Sequence, residues 1–179
     1  MMLEFRLERD DYLTHQLFAA SQSPRIRRKR MRNRLSIPIL YGLIGLIFWL
    51  LRDIAFLVGF GVVALLWLVL YPLWSRRLYR RHYTAHIDEH YRERFGRTAR
   101  VFLEDGALVT EDPGGRSEIH LDQVDRIALI STHAFVHLRS GVTLILPRQR
   151  LEPGSLDAFL TELTTRTGVE REELDWRWR

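Results

Sequence analysis

From Leu35 to Trp74 the chain carries only two charged side chains, the adjacent Arg52 and Asp53. A continuous helix over that run would extend about 60 Å at a rise of about 1.5 Å per residue, roughly twice the hydrocarbon core of a bilayer. Division at the charged pair yields two segments, 35–51 and 54–74. Both lengths lie in the range of about 17 to 25 residues for a spanning helix.

Energetics select the same break. Residues 54–74 hold 13 Leu, Ile, Val or Phe, each favouring insertion by roughly 0.3 to 0.6 kcal/mol, about 4 to 8 kcal/mol together. An Arg and an Asp at mid-membrane would cost on the order of 5 to 7 kcal/mol and cancel that gain. At a turn in the headgroup layer they cost little, so Arg52 and Asp53 are expected at the tip of a transmembrane hairpin. A chain of 179 residues has too little other apolar surface to enclose two such segments in a soluble core. The run starts too late and is too long for a signal peptide, and no small-residue cleavage site ends it. Pro38 is expected in the first turn of the first helix and Pro72 in the last turn of the second.

Charge is segregated around this run. Residues 25–34 carry +7 and 76–100 carry +5, whereas 101–179 carry −5. Arg27, Arg28, Lys29, Arg30, Arg32 and Arg34 precede the apolar run, with Arg25 before them, and Arg76, Arg77, Arg80 and Arg81 follow it; the tip has only Arg52. By the positive-inside rule both termini face the cytoplasm, with Tyr71 and Trp74 as interfacial anchors. The expected partners are the lipid bilayer, with its anionic headgroups beside the basic flanks, and an unidentified protein. Nucleic acid is disfavoured because the long C-terminal part has the wrong sign. Zero cysteines exclude disulfides and thiolate chemistry. Gly42, Gly45, Gly59 and Gly61 allow close helix approach, which leaves a homo-oligomer open.

Five parts follow: 1–34, an N-terminal strand and helix with the basic run; 35–74, the hairpin; 75–97, an amphipathic juxtamembrane helix; 98–168, a β domain with a C-terminal helix; and 169–179, an exposed tail. In the third part Tyr79, Tyr83, Ile87, Tyr91 and Phe95 recur every four residues, with Gly96 as the stop. From Thr98 the period becomes two. Strands are expected at 100–104, 107–111, 116–120, 126–132, 134–138 and 142–146, with a hairpin turn at Asp105-Gly106. A helix then carries Leu156, Phe159, Leu160 and Leu163 on one side and ends at Gly168. Leu3, Phe5 and Leu7 alternate with charges, so MLEFRLE is a further strand able to bring the antiparallel sheet from six to seven. A helix from Asp10 or Asp11 through Ala20 follows it. The fold class is a membrane α-helical hairpin of two transmembrane helices plus an α+β cytoplasmic domain.

The order of parts, LEFRLERDDYL at 3–13, the basic run and LDQVDRIALISTHAFVHLRSGVTLILPRQRL at 121–151 resemble the YcxB-like bacterial membrane proteins, an uncharacterised family. AFVHL and VTLILPR are similar to its aromatic strand followed by an apolar strand ending in Pro and a basic residue. Leu121 departs from the Trp common there. The resemblance implies a bacterial inner-membrane protein with a pleckstrin-homology-like (PH-like) cytoplasmic domain, multi-pass, with both termini cytoplasmic.

Candidate chemistry is sparse. His82, His86 and His90 share a helix face, and His86 to His90 reads HIDEH, formally the H-x-x-E-H spacing that supplies zinc ligands in inverted zincins, with Glu89 as the acid. No P-loop, GxSxG or GxGxxG occurs, and no cofactor is expected. The leading expectation is a non-enzymatic binding or scaffolding module. A membrane-bound zinc hydrolase using the juxtamembrane histidines and a structural, oligomerising membrane protein are the alternatives.

Overall fold

The computed structural model describes residues 2–112 and 114–178. Two units comprise the described residues of Met1–His15 with Ala85–Arg177, and of Gln16–Thr84 with Trp178–Arg179. Among the described residues there are four α-helices: α1 (Arg9–Gln22), α2 (Pro24–Leu50), α3 (Ile54–His90) and α4 (Ser155–Thr167). The strands are β1 (Met2–Arg6), β2 (Thr98–Glu104), β3 (Ala107–Asp112), β4 (Gly115–His120), β5 (Val124–Leu129), β6 (His133–Leu138), β7 (Thr143–Pro147) and β8 (Arg171–Glu173).

The first unit is α+β. Its strands form two four-stranded sheets, β1-β2-β3-β4 and β7-β6-β5-β8, rather than one continuous meander. The break falls where a 3-10 turn at Leu121–Gln123 separates β4 from β5. β1 pairs antiparallel with β2, placing Glu4 opposite Arg100, and Arg100 Nε donates to Glu4 Oε2 at 2.9 Å. The alternation of β1 sends Leu3 and Phe5 inward and the charged residues outward. The β2–β3 turn has Asp105 at φ 39° and Gly106 at φ 84°, the two positive values a type I′ hairpin requires.

One core joins both sheets to α4. Leu3, Phe5, Val101, Leu103 and Leu108 from the first sheet meet Ile127, Val136 and Leu146 from the second, and α4 inserts Leu156, Phe159, Leu160 and Leu163. The three- and four-residue spacing of those α4 side chains produces one apolar stripe. Gly168, at φ 70°, ends the helix by donating its N–H to Thr164 O at 2.8 Å. The tail is not wholly free: β8 pairs parallel with β5, and Leu174 N–H donates to Leu129 O at 2.8 Å. The β8 side chains are exposed, so the pairing is through backbone and one surface ion pair, Arg126 with Glu172 at 3.8 Å, and leaves no hydrophobic pattern to read.

The second unit is dominated by α2 and α3, both long and apolar enough to cross a membrane. Among the described large hydrophobic side chains that are exposed, all but Met2, Met31, Leu78 and Val142 lie between Leu35 and Trp74. α2 begins well before Leu35. Ser23 is its N-cap, accepting from Ile26 N–H at 3.5 Å, and Pro24 occupies the first turn. The basic run is therefore helical, as suits arginine's good helix propensity. For the same reason Pro38 lies inside α2, and Pro72 inside α3, rather than in terminal turns.

α3 continues to His90, and the expected helix over 75–97 stops there. A 3-10 turn at Arg92–Arg94 follows, and Gly96 sits in a loop, its N–H donated to Leu7 O at 2.9 Å. Side-chain packing explains the break. The Tyr12 ring lies 4.9 Å from Tyr91 and 5.8 Å from Phe95, which holds both aromatics off the helical path.

Candidate functional site

The tip of the hairpin is built from the two charges that interrupt the apolar run. Arg52 has φ 57°, and its N–H donates to Trp49 O at 3.0 Å while Asp53 N–H donates to Phe48 O at 2.9 Å. These are the paired bonds of a Schellman termination, with Arg52 in the left-handed position usually held by glycine. Asp53 then caps α3: its Oδ1 accepts from Phe56 N–H at 3.4 Å. One residue ends a helix and the next begins another.

Below the tip the two helices pack through aromatics. Phe48 stacks on Phe56 at 4.9 Å and on Phe60 at 5.6 Å, and Tyr41 lies 5.7 Å from Phe60. Gly45 is the buried position of α2; a Cβ there would meet Leu57 Cδ1 at 3.4 Å. Gly42, Gly59 and Gly61 have nothing within 4 Å of that position, so of the four glycines only Gly45 serves close approach within the hairpin.

At the opposite end of the hairpin, Arg27, Arg28, Lys29, Arg30, Arg32 and Arg34 lie on α2, and Arg76, Arg77, Arg80 and Arg81 on α3. Trp74 is exposed as an interfacial anchor would be, but Tyr71 is only 6% exposed and packs 5.4 Å from Trp67. Pro72 shapes this end through the backbone. It has no N–H, so Leu68 O in the preceding turn lacks its helical donor, and Arg34 Nη2 donates to it at 3.4 Å across the hairpin.

In the α+β unit, a cleft of about 690 Å³ is lined by Leu7, Tyr12, Asp88, His90, Arg94 and Asp112 among others. Asp88 is engaged by Arg9, whose Nε donates to Oδ1 at 2.6 Å and whose Nη2 donates to Oδ2. The rings of His86 and His90 are 4.3 Å apart, and His90 Nδ1 lies 3.0 Å from His86 O, so that nitrogen carries its proton and is not a free metal ligand. Glu89 approaches His90 only to 4.0 Å. His82 lies on the same helix but in the other unit. Among the described residues no group of three or more His, Asp or Glu side chains is placed to hold a metal ion.

A buried polar network went unrecognised in the sequence. Asp11, in the first turn of α1, accepts from Glu8 N–H at 2.6 Å, lies 3.1 Å from His133 Nε2 and pairs with Arg150. On the other side of the same ring, His133 Nδ1 lies 2.8 Å from Thr132 Oγ1. Burial pushes the Asp11 carboxyl up, but the His133 and Glu8 hydrogen bonds and the Arg150 guanidinium outweigh it and leave it below the usual carboxylate range. Beside it, His15 lies 5.5 Å from Phe135; burial, with His137 and His133 nearby, lowers its pKa to about 4. The network clamps the start of α1 onto β6. Thr132 hydroxyl and Asp11 flank opposite nitrogens of one imidazole, and both Asp11 and His133 are buried, as suits a structural clamp.

Comparison with known proteins finds no matching family, no similar curated protein and no similar solved structure.

Proposed function

We propose that this chain is a non-enzymatic binding or scaffolding protein of a bacterial inner membrane. In this reading the hairpin of α2 and α3 crosses the bilayer, both termini lie in the cytoplasm, and the α+β unit is a PH-like module held at the membrane surface. The observation that carries it is the partition of surfaces. Large exposed apolar side chains concentrate between Leu35 and Trp74, whereas the α+β unit buries its own core. At about 25 cal/mol per Å² of apolar area, such an exposed helical surface is costly in water and favourable in lipid.

Further support comes from the flanks, whose arginines favour the cytoplasmic side at the open end of the hairpin. Seven strands in two antiparallel arrays closed by α4 support a PH-like module, with the hairpin inserted between β1 and β2. The resemblance of 3–13 and 121–151 to YcxB-like proteins supports the same reading, and these two stretches meet through Asp11, His133 and Arg150. For the docking surface we assign the open edge of β4, the strand on which Arg116 pairs with its neighbour Glu118 and reaches Glu111 of β3 and Glu104 of β2. An edge of unpaired backbone groups is a ready template for an extended segment of a protein partner. Holding the module at the membrane raises that partner's local concentration.

Two measurements test this reading. A reporter fused after Arg179 should report a cytoplasmic location; activity of a periplasm-dependent reporter there would refute the topology. Photo-crosslinkers placed at the exposed Ser117 and His120 of β4 in native membranes should capture one recurrent protein. Adducts only between copies of this chain would favour the structural oligomer instead.

A further inference from the structure

Residues 16–84 contain twelve Arg or Lys and a single carboxylate side chain, Asp53, which belongs to the tip with Arg52. The other eleven cations gather at the open end of the hairpin. Like charges crowded on two packed helices repel one another, and an anion held by Arg27 and Arg34 would relieve that repulsion.

A pocket lies among these cations. Arg27, Arg30 and Arg34 recur at three- and four-residue spacing on one face of α2 and form one wall of a pocket of about 160 Å³; Tyr71, Pro72 and Ser75 of α3 form the other. The pocket is built rather than incidental. Tyr71 and Ser75 are buried, Ser75 Oγ donates to Pro72 O at 3.2 Å, and Arg34 is tethered to Leu68 O. The Arg30 guanidinium lies 5.0 Å from the Trp178 ring and 5.7 Å from that of Tyr79, which orients it. Among the described residues neither Arg27 nor Arg34 has a carboxylate partner. Arg34 commits one donor to Leu68 and retains the others of its five.

Depth identifies the source of the anion. Counted from Leu51 at the turn, Arg34 is about 26 Å and Arg27 about 36 Å along the helix axis, and a hydrocarbon core is about 30 Å thick. With the tip in one headgroup layer, the pocket lies in the other. Its volume equals that of about five waters, enough for a phosphate but not for a whole lipid, whose acyl chains would run along exposed Leu35 and Ile39.

We propose that this pocket binds the phosphate of an anionic glycerophospholipid in the cytoplasmic leaflet, with Arg27 and Arg34 as its charge-assisted donors and Arg30 closing the same wall. The inference rests on the hairpin spanning a bilayer, and it adds a defined lipid site to the anchor.

The test uses the full-length protein in nanodiscs of phosphatidylcholine alone or mixed with phosphatidylglycerol, reading retained lipid by native mass spectrometry and the melting temperature in parallel. The wild type should retain phosphatidylglycerol and melt higher in the mixed bilayer. Arg27→Gln should weaken retention about tenfold, and Arg27→Gln with Arg34→Gln about 100-fold, at roughly tenfold for each charge-assisted hydrogen bond to the phosphate that is lost. Arg25→Gln with Arg28→Gln removes the same charge outside the pocket and should change retention less than about threefold. Arg27 is exposed, so its single variant tests the pocket without disturbing the fold, against Arg28→Gln as its match. Equal losses in the paired variants, or no preference for phosphatidylglycerol by the wild type, would overturn the proposal. So would the same thermal shift from inorganic phosphate in pure phosphatidylcholine, which would assign the site to soluble phosphate. Failure to co-elute with the nanodisc scaffold would instead strike at the membrane reading itself.

Discussion

Asp11 Oδ1 lies 3.1 Å from His133 Nε2 across 122 positions of sequence, with both side chains buried. This contact joins the first turn of α1, ahead of the hairpin, to β6, far behind it. The α+β unit is therefore assembled from both sides of the apolar run, and its integrity depends on the N-terminal segment that ends at His15.

Removing the carboxylate should be costly. Asp11→Ala leaves His133 and Arg150 facing an empty polar site, and breaking a buried pair typically costs about 3 kcal/mol or more. Denaturant unfolding of the full-length protein in detergent, followed by near-ultraviolet circular dichroism, checks this. Asp11→Asn, which keeps one acceptor, should lose less. A loss for Asp11→Ala under about 0.5 kcal/mol, the level of an ordinary surface substitution, would show that the clamp contributes little.

The same region should make the unit acid-sensitive in two stages. For His15 the folded pKa is about 4 against about 6.5 unfolded, so between these values the unfolded chain binds the extra proton. Stability contributed at this position therefore rises with pH from about 4 to about 6.5, by roughly 3 kcal/mol at most. Asp11 acts at lower pH: its folded pKa is depressed, so its contribution is complete above about 4 and disappears as pH falls further. In melting temperatures measured across pH, His15→Leu should flatten the limb between about 4 and 6.5 and leave the steeper acid limb in place.

β1 is a structural strand, not a disposable leader to the hairpin. Phe5 is buried in the core shared by both sheets and α4, and truncating a buried Phe costs about 3 to 5 kcal/mol. Phe5→Ala should therefore destabilise the unit by about that much, and deletion of residues 2–9 should abolish its cooperative unfolding transition. An unchanged melting temperature after the deletion would contradict the pairing of β1 with β2.

At the tip, Arg52 holds a left-handed conformation that costs a non-glycine residue about 1 kcal/mol. Arg52→Gly should stabilise the hairpin by about that amount in a detergent-unfolding titration, and the β-branched Arg52→Val should destabilise it. Asp53→Ala should cost about 1 kcal/mol through loss of the α3 cap.

The absence of cysteine makes the hairpin directly testable. Gly45→Cys combined with Phe60→Cys, which would place the two Cβ atoms 4.0 Å apart and so within bonding range, should form a disulfide on mild oxidation in membranes. A pair at Gly42 and Gly61, with no neighbour near either glycine, should not.

Local composition and period were enough to determine the elements whose causes are local. A long apolar run broken by one charged pair specifies two apolar helices and their turn. Alternation at Leu3 and Phe5 and the three- and four-residue spacing of Leu156, Phe159, Leu160 and Leu163 specify buried faces, because side-chain direction follows backbone geometry. Only the tertiary structure decided where those faces meet. Nothing near Asp11, His133 or Arg150 marks them as partners, since a hydrogen bond between such distant stretches of chain leaves no periodic trace. The ends of the helices were decided the same way: α3 stops at His90 because Tyr91 and Phe95 pack on Tyr12, and β8 forms through backbone groups that every sequence carries. Pro72 joins the two levels, for the missing N–H is written in the residue, but the Arg34 side chain that answers it arrives only with the folded hairpin.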